Sequence, residues 1–219
     1  MVWRWVSKFI FLFAHFSGLW FQLSKSREGL QDPQWVESAW FWRTGWKKLI
    51  DIAQEAPETV FWAADEAGLY LQATTSFVWS AIGETPIVRT DPGRKQTHFY
   101  GGVNLGSGKE IVLRSDVMVS EVSAQFLQAI LDSEPNVPVV VFWDRAPWHR
   151  GEEVKKLLDS NPRLQIIFFP TASPDLNPQE HVWKAARKVI SHNHTISSLP
   201  ELANRFEEFL TNTAFPSSF

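Results

Sequence analysis

"VPVVVFWD", residues 137–144, is an apolar run that ends on an acidic residue, Asp144. A short run of this kind predicts a strand that is buried on both faces, as in the parallel part of a sheet. The helical pattern "GEEVKKLLDSN" (151–161) and a second apolar strand "LQIIFFP" (164–170) follow it. The alternation of strand, helix and strand predicts parallel, helix-crossed strands.

The segments on both sides of this unit extend the predicted fold. We expect a helix at 46–56, followed by antiparallel strands. One further helix is expected before the parallel unit, and two are expected after its last strand. The predicted strands are 59–73, 77–83, 97–105 and 109–116, and the predicted helices are 120–133, 177–193 and 199–212. Antiparallel strands that lead into parallel ones predict an α/β fold with a mixed sheet and helices on its faces.

Composition limits the chemistry that the chain can perform. The 219 residues are 44% hydrophobic, contain no cysteine and carry a formal net charge of -3. This length supports one full globular domain with an appendage. Without cysteine, disulfides, zinc–thiolate sites and cysteine nucleophiles are excluded, so any metal must be bound by oxygen or imidazole. The small negative charge excludes a surface that binds nucleic acid everywhere but leaves room for a local basic patch.

The first 45 residues differ from the rest of the chain. "VSKFIFLFAHFSGLWF" (6–21) is nearly continuous apolar sequence, and "SKSREGLQDPQ" (24–34) has the composition of a linker. No small-residue cleavage site follows the apolar run, and His15, Ser17 and Gly18 interrupt it, which disfavours a secretory signal and a membrane span. We expect an atypical tryptophan-rich segment at 1–45 and a globular domain at 46–219.

Acidic residues at the ends of predicted strands are the candidates for chemistry. Asp144 follows one buried strand, and Asp65 follows the apolar start of another, "VFWAAD" (60–65). Open α/β sheets bind ligands at such ends, although a single acid there is also common as a turn or helix-capping residue. Asn177 and Pro178 predict the start of a helix and place Glu180 on its first turn, directed toward the strand ends.

Three motifs in order, "ADEAG", "FWDRAPWHRGEEVKKLL" and "PTASPDLNPQEHVWK", resemble the catalytic signatures of DDE transposases. The resemblance is to the mariner superfamily, and in particular to its bacterial insertion-sequence branch. Positions 145 to 179, thirty-five residues, separate Asp144 from Glu180, and spacings of this kind characterise such families. The resemblance runs from about residue 59 to residue 209, and it implies an RNase H-like fold.

The resemblance also implies a function and a cofactor. Asp65, Asp144 and Glu180 are expected to be the catalytic residues and to hold two ions of Mg²⁺ or Mn²⁺, which carboxylate oxygens suit. Two such ions can assist cleavage of a DNA strand and the joining of its 3′-end to target DNA. The expected function is therefore that of the catalytic domain of a transposase, an endonuclease that carries out DNA transposition and recombination.

Basic residues near the predicted site are candidates for contacts with DNA phosphates. Those on the predicted helix of Glu180 follow the glutamate at helical spacing, with Val182, Ala186, Val189 and Ile190 expected on the opposite face. An ordinary solvated surface explains such residues equally well. The candidate DNA-binding residues are Arg89, Arg94, Lys95, Arg145, His149, Lys184, Arg187 and Lys188.

Two alternatives remain open from the sequence. The chain could be an inactive transposase remnant that binds DNA or another protein, because Arg145 and Ala67 depart from the residues usual in this family. It could also be another RNase H-like nuclease. Residues 1–45 lack the pattern of the helix-turn-helix modules that read terminal repeats. The expected partners are terminal inverted repeats and target DNA. A homodimer, or a separate protein product that carries the helix-turn-helix module, is compatible with the sequence. We expect no membrane association and a location in the bacterial cytoplasm, near the nucleoid.

Overall fold

The computed structural model describes residues 51–52, 54–72, 80–83, 95–170 and 177–215. Within these ranges the chain forms one sheet flanked by helices. The strands are β1 (Val60–Tyr70), β2 (Gln96–Asn104), β3 (Glu110–Ser115), β4 (Val139–Trp143) and β5 (Leu164–Phe168). The helices are α1 (Ser120–Ser133), α2 (Glu152–Ser160), α3 (Pro178–Ala186) and α4 (Leu199–Asn212), with a 3₁₀ helix at Pro147–Arg150 and a π-helical turn at Arg187–Ser191.

The sheet is mixed, as the sequence predicts. Its strand order is β3-β2-β1-β4-β5. β1 pairs antiparallel with β2 and parallel with β4, and β4 pairs parallel with β5. β1 is therefore the strand at which the antiparallel and parallel parts of the sheet meet.

Each face of the sheet carries its own hydrophobic core, because side chains alternate along a strand. From β1, Trp62 and Ala64 pack with residues of α1 and α2 on one face. Ala63 and Ala67 pack with residues of α3 and α4 on the other. Side chains of β1 at even-numbered and odd-numbered positions thus belong to opposite sides of the molecule.

Two predicted elements differ from the structure. The strand expected at 77–83 is wrong for residues 80–83, which form no strand; the end of this segment is exposed and turns at Gly83, which has a φ of 90°. Residues 77–79 lie outside the described residues.

The helix expected at 177–193 is α-helical to Ala186 and then enters the π-helical turn, where the backbone N–H of His192 donates to the carbonyl of Arg187. A π-turn holds more residues than an α-turn, which rotates the later side chains around the axis. Val189 was expected on the apolar face, but it is exposed.

The N-terminal segment, residues 1–50, lies outside the described residues, so the predictions made for it stay predictions. Of the helix expected at 46–56, residues 51, 52 and 54–56 are described; the first four of these are helical, and residue 56 is not. None of the helices in the described ranges combines the length and the apolar character needed to cross a membrane.

Candidate active site

Asp65 and Asp144 come from neighbouring parallel strands at the same level of the sheet. The register pairs Ala63 of β1 with Phe142 of β4, and two further residues along each chain lead to the two aspartates. β4 ends at Trp143, so Asp144 begins the loop that leaves the sheet. This is the edge at which open α/β sheets commonly bind ligands.

Helix α3 brings Glu180 to the same edge. Asn177 caps the helix: its side-chain oxygen accepts a hydrogen bond from the backbone N–H of Gln179, 3.1 Å away. Its side-chain amide donates to the carbonyl oxygen of Ala64, the residue before Asp65, at 3.0 Å. One buried side chain therefore ties the start of α3 directly to the strand that carries Asp65.

A second tie lies one turn further along α3. Trp183 is fully buried, and its Nε1 donates a hydrogen bond to Oδ2 of Asp65 at 3.1 Å. Gly101 of β2 is paired with Asp65 in the sheet, and a Cβ at this position would lie 2.3 Å from the ring of Trp183. The absence of a side chain at residue 101 thus creates the space that the indole occupies above the sheet.

The pKa of Asp65 shows that negative charge is concentrated here. Burial of its carboxyl group, together with the charges of Glu66, Glu180 and Asp144, raises its pKa to about 8. The negative charge of each of these neighbouring acids disfavours ionisation of Asp65. A divalent cation would relieve this repulsion, and carboxylate oxygens are the ligands that Mg²⁺ and Mn²⁺ prefer. The residues present therefore fit such an ion.

Glu66 follows Asp65 along β1 and serves the opposite face of the sheet. Its Oε1 lies 2.8 Å from Nε2 of His149, and its Oε2 accepts from Nε1 of Trp148 at 3.5 Å. On the other side of the ring, Nδ1 of His149 lies 2.7 Å from Oδ1 of Asp144. The imidazole thus joins Glu66 to Asp144, and we refer to these three residues as the imidazole bridge.

Electrostatics favours the charged form of His149. Burial opposes protonation, but hydrogen bonds and charge from Asp144 and Glu66 outweigh it and raise its pKa to about 9. For Asp144, burial raises the pKa, but hydrogen bonds from His149 and from the backbone N–H of Ala146 outweigh it and lower the pKa below its usual value. At neutral pH the ring of His149 is therefore an imidazolium beside an ionised Asp144.

One possible ligand atom from each of the three bridge residues lies within 4.8 Å of the others. An imidazolium has no lone pair to offer a metal ion. The trio is therefore an ion-paired network that supports Asp144.

The structure corrects the expectation that His149 binds DNA. Its side chain is fully buried, stacks on Trp143 at 3.7 Å between ring centroids, and has a carboxylate partner at each ring nitrogen. No surface remains for a phosphate. His149 instead fixes the loop after β4, through its contacts with the side chain and the backbone carbonyl of Asp144.

The other candidate DNA-binding residues lie on different parts of the surface. Lys184 of α3 and Lys188 of the π-turn are exposed, and Arg187 is half-buried. Lys95, just before β2, and Arg145, just after Asp144, are also exposed. Arg89 and Arg94 lie outside the described residues.

Sequence reasoning missed the contacts that hold the acids in place. Neither the contact of Glu66 with His149 nor the hydrogen bond of Trp183 to Asp65 was foreseen. The alternation along β1 assigns Asp65 and Glu66 to opposite faces, which was the available signal for a second, separate role of Glu66. The bond from Trp183 to Asp65 joins residues far apart in sequence and left no local pattern.

A mixed sheet of this order, with carboxylates gathered where its parallel strands end, defines an RNase H-like protein with an acidic site. Residues 60–203 match the model of the DDE superfamily endonuclease family. The chain belongs to this family.

Similar proteins agree with this assignment. The chain is 28% identical over 178 residues to "Insertion element IS630 uncharacterized 39 kDa protein" of Shigella sonnei, a match that covers 78% of this chain and 49% of that protein. The chain therefore spans about half the length of this curated relative.

Solved structures show the same fold. The Mos1 transposase paired-end complex with left transposon end is similar with a TM-score of 0.58 at 15% identity, over 78% of this chain and 53% of that one. The catalytic domain of Mos1 mariner transposase is similar with a TM-score of 0.51 at 12% identity, over 76% and 78% of the two chains.

Proposed function

We propose that this protein contains the catalytic domain of a transposase, which cleaves a DNA strand and joins the freed 3′-end to target DNA. The observation that carries the proposal is the common level of Asp65 and Asp144 in the sheet, together with the two hydrogen bonds that tie the helix of Glu180 to β1 at Ala64 and Asp65. The charges of Glu180 and Asp144 also help to raise the pKa of Asp65 to about 8. Three carboxylates from separate elements that act on one another are the donor set that a metal-dependent phosphoryl transfer needs. The domain begins near residue 46.

Asp65, Asp144 and Glu180 would hold two ions of Mg²⁺ or Mn²⁺. When bound, the ions lower the pKa of the attacking water or 3′-hydroxyl and stabilise the leaving oxygen. Structures of Mos1 paired-end complexes with Mg and with Mn support divalent metal use in this fold. The ligands would have separate supports: Trp183 for Asp65, the imidazole bridge for Asp144 and the Asn177 cap for Glu180.

DNA is the proposed partner, in the form of terminal inverted repeats and target duplex. Complexes of Mos1 with transposon ends and in a strand-transfer state support this for the fold. We assign phosphate contacts to the exposed basic residues Lys95, Arg145, Lys184 and Lys188. Such contacts can position a duplex without reading its sequence. Sequence reading would come from a helix-turn-helix module on a homodimer partner or a separate product, in the bacterial cytoplasm near the nucleoid.

The first test measures metal binding through stability. A ligand that binds the folded state alone stabilises it by about 2.7 kcal/mol at one hundred times its Kd, so Mg²⁺ or Mn²⁺ should raise the Tm of the protein. Asp144→Asn should abolish this increase and leave the protein folded. Asp159→Asn, which changes an exposed acid on α2, is the matched control and should behave as wild type. An unchanged metal response of Asp144→Asn would contradict the assigned site.

The second test measures the reaction. Duplex DNA carrying the element's ends is incubated with protein and metal, and nicked, cleaved and joined products are separated on a denaturing gel. Removal of Asp144 as a ligand should reduce cleavage by at least about 10²-fold, because misplacing a reactive group costs that much. Joining of 3′-ends supports the transposase, hydrolysis alone supports another RNase H-like nuclease, and metal binding without cleavage supports an inactive remnant.

A further inference from the structure

Glu110 is a buried acid that the proposed reaction does not use. It is the first residue of β3 and pairs with Val103 of β2, and only 5% of its surface is exposed. Its Oε1 accepts a hydrogen bond of 2.5 Å from Nε2 of Gln179, which is fully buried on the first turn of α3. A carboxyl group in such a place needs either a positive partner or a proton.

The two side chains each leave one oxygen without a partner. Among the described residues, Oε2 of Glu110 and Oε1 of Gln179 are both buried and neither has a hydrogen-bond partner. An ionised Glu110 would leave both of them as acceptors, since a carboxylate and an amide oxygen cannot donate. A proton on Oε2 changes this, because a carboxylic acid donates one hydrogen bond and can also accept one.

We propose that Glu110 is protonated at neutral pH and forms a neutral acid–amide pair with Gln179. In this pair Nε2–H of Gln179 donates to Oε1 of Glu110, and Oε2–H of Glu110 donates to Oε1 of Gln179. One proton thereby satisfies both oxygens that are otherwise unpaired. Burial raises the pKa of Glu110 well above its usual range, and the hydrogen bond from Gln179 offsets this only in part.

The pair holds the helix turn that carries Glu180. Gln179 precedes Glu180 in the chain, and a Cβ on Gly101 would lie 2.6 Å from its Nε2, so the amide is closely packed from the β2 side. With the bond from Asn177 to Ala64, the pair gives the start of α3 a second attachment to the sheet. Glu110 and Gln179 are therefore positioning residues for Glu180, a role that rests on the proposed function.

Infrared spectroscopy of the full chain at neutral pH tests the protonation, without substrate or metal. The wild-type spectrum minus that of Glu110→Gln should contain the carbonyl band of a protonated carboxyl group. Asp65→Asn, measured in the same way, identifies the separate band of Asp65, whose pKa is about 8. A difference spectrum that shows a carboxylate band lost from Glu110→Gln would overturn the proposal.

Variants test the pairing. Glu110→Gln keeps the length and both hydrogen bonds as an amide–amide pair, so its Tm should stay within about 2 °C of wild type. Glu110→Met leaves the amide of Gln179 unpaired and should lower the Tm by about 3 to 10 °C. Glu110→Met/Gln179→Met removes both polar groups and should recover part of the loss. A Glu110→Gln variant as unstable as Glu110→Met would overturn the pairing.

Metal binding tests the positioning role. The Mn²⁺-dependent rise in Tm should be unchanged in Glu110→Gln and smaller in Glu110→Met. A full rise in Glu110→Met would overturn the positioning role. If Asp144→Asn also keeps the rise, the proposed metal site fails, whereas the infrared result for Glu110 stands independently.

Discussion

Glu66 supports Asp144 without contacting it, through the ring of His149. Replacing Glu66 by alanine removes one of the two carboxylates that raise the pKa of His149 to about 9, so the pKa of the ring should fall. The freed ring can then rotate, and Asp144 loses its fixed position. We expect metal-dependent cleavage to fall by about 10²-fold.

The matched variant is Glu66→Gln, which keeps a hydrogen-bond acceptor for His149 and removes the charge. NMR titration of the His149 ring should show a lowered pKa in both variants, with activity largely retained in Glu66→Gln. Equal loss of activity in both variants would assign the effect to charge near Asp65 instead of the position of Asp144.

Arg145 lies next to a proposed metal ligand and is exposed. A guanidinium there can compete with the metal for Asp144 or can contact a DNA phosphate. We favour the DNA contact, since His149 already pairs with Asp144. Arg145→Asn should then keep or increase the rate of cleavage and weaken DNA binding. Cleavage assays at saturating DNA measure the first effect, and a clear loss of rate there would show that Arg145 is part of the site.

Helix α3 is held against β1 and β2 by contacts that leave no room at Gly101. Gly101→Ala places a Cβ 2.3 Å from the ring of Trp183, so the indole must move and its hydrogen bond to Asp65 weakens. Overpacking of this kind costs typically about 1–3 kcal/mol. We expect a lower free energy of unfolding in urea and a smaller Mg²⁺-dependent increase in stability.

Gly68→Ala on β1 is the control for this change. Its added Cβ would meet the ring of the exposed Tyr70 at 3.4 Å, an ordinary contact. Both variants introduce the same methyl group into the same sheet. Equal losses of unfolding free energy and of the Mg²⁺-dependent increase in the two variants would contradict a specific role for the contact between Gly101 and Trp183.

Elements with a clear local pattern could be predicted from the sequence, and long-range contacts could not. Helix α1 was predicted at 120–133 and occupies those residues, because its apolar side chains recur at helical spacing. The π-turn after Ala186 was missed, since its i-to-i+5 bond continues a pattern that reads as an ordinary helix.

For the site, the sequence offered Asp65, Asp144 and Glu180 as candidate ligands, which stays a prediction, but it did not reveal the contacts around them. Local signals mark Asp144 after the end of β4 and Glu180 on the first turn of α3, whereas Asp65 lies within β1, just past its pairing with β4. The imidazole bridge and the bond from Trp183 to Asp65 depend on how the elements pack. Such packing is fixed by the whole core and not by any neighbouring residues in the chain.

The pH dependence of stability is a property of the whole molecule. In the folded protein the pKa of Asp65 is about 8, compared with its ordinary value of 3.8. The pKa of His149 is about 9, compared with its ordinary value of 6.5. In both, the folded state binds the proton more tightly, so their stabilising contribution is present at low pH and is lost as pH rises. Both contributions fall between pH 6.5 and pH 8.

Without divalent metal, the free energy of unfolding should therefore decrease from pH 6.5 to pH 8. Asp144 has a lowered pKa and is ionised in both states over this range, and His194, whose pKa burial lowers, titrates below it. Urea unfolding in the presence of a chelator measures how the free energy of unfolding changes with pH, and Asp65→Asn should make this change smaller.

Saturating Mg²⁺ should stabilise the protein more at pH 8 than at pH 6.5, since protons compete with the ion for Asp65. A chelated protein that gains stability over this range would contradict the assignment.

Binding to DNA should be weak, non-specific and strongly dependent on salt. Each phosphate contact contributes about 0.9 to the slope of log affinity against log salt concentration. Lys184→Gln/Lys188→Gln should reduce that slope by about two. The control, Lys155→Gln/Lys156→Gln, changes two exposed lysines of α2 on the opposite side of the sheet and should leave the slope unchanged.

Competition between the element's ends and scrambled duplex measures sequence preference in the same assay. Phosphate contacts do not specify sequence, so the 219-residue chain should show little preference. A preference of about 10²-fold or more for the ends would mean that residues 1–45 contain a recognition module.

The adjacency of Asp65 and Glu66 limits how this protein can change during evolution. One strand supplies an acid to each face of the sheet, and a single residue inserted or deleted in β1 before Asp65 would exchange the two faces. An insertion would move Asp65 to the level at which Glu66 meets the imidazole of His149, whereas a deletion would move Glu66 to the level at which Asp65 meets the indole of Trp183. Point substitutions can accumulate along much of the chain, but a change of length before Asp65 in β1 removes both the acidic site and the imidazole bridge in one event.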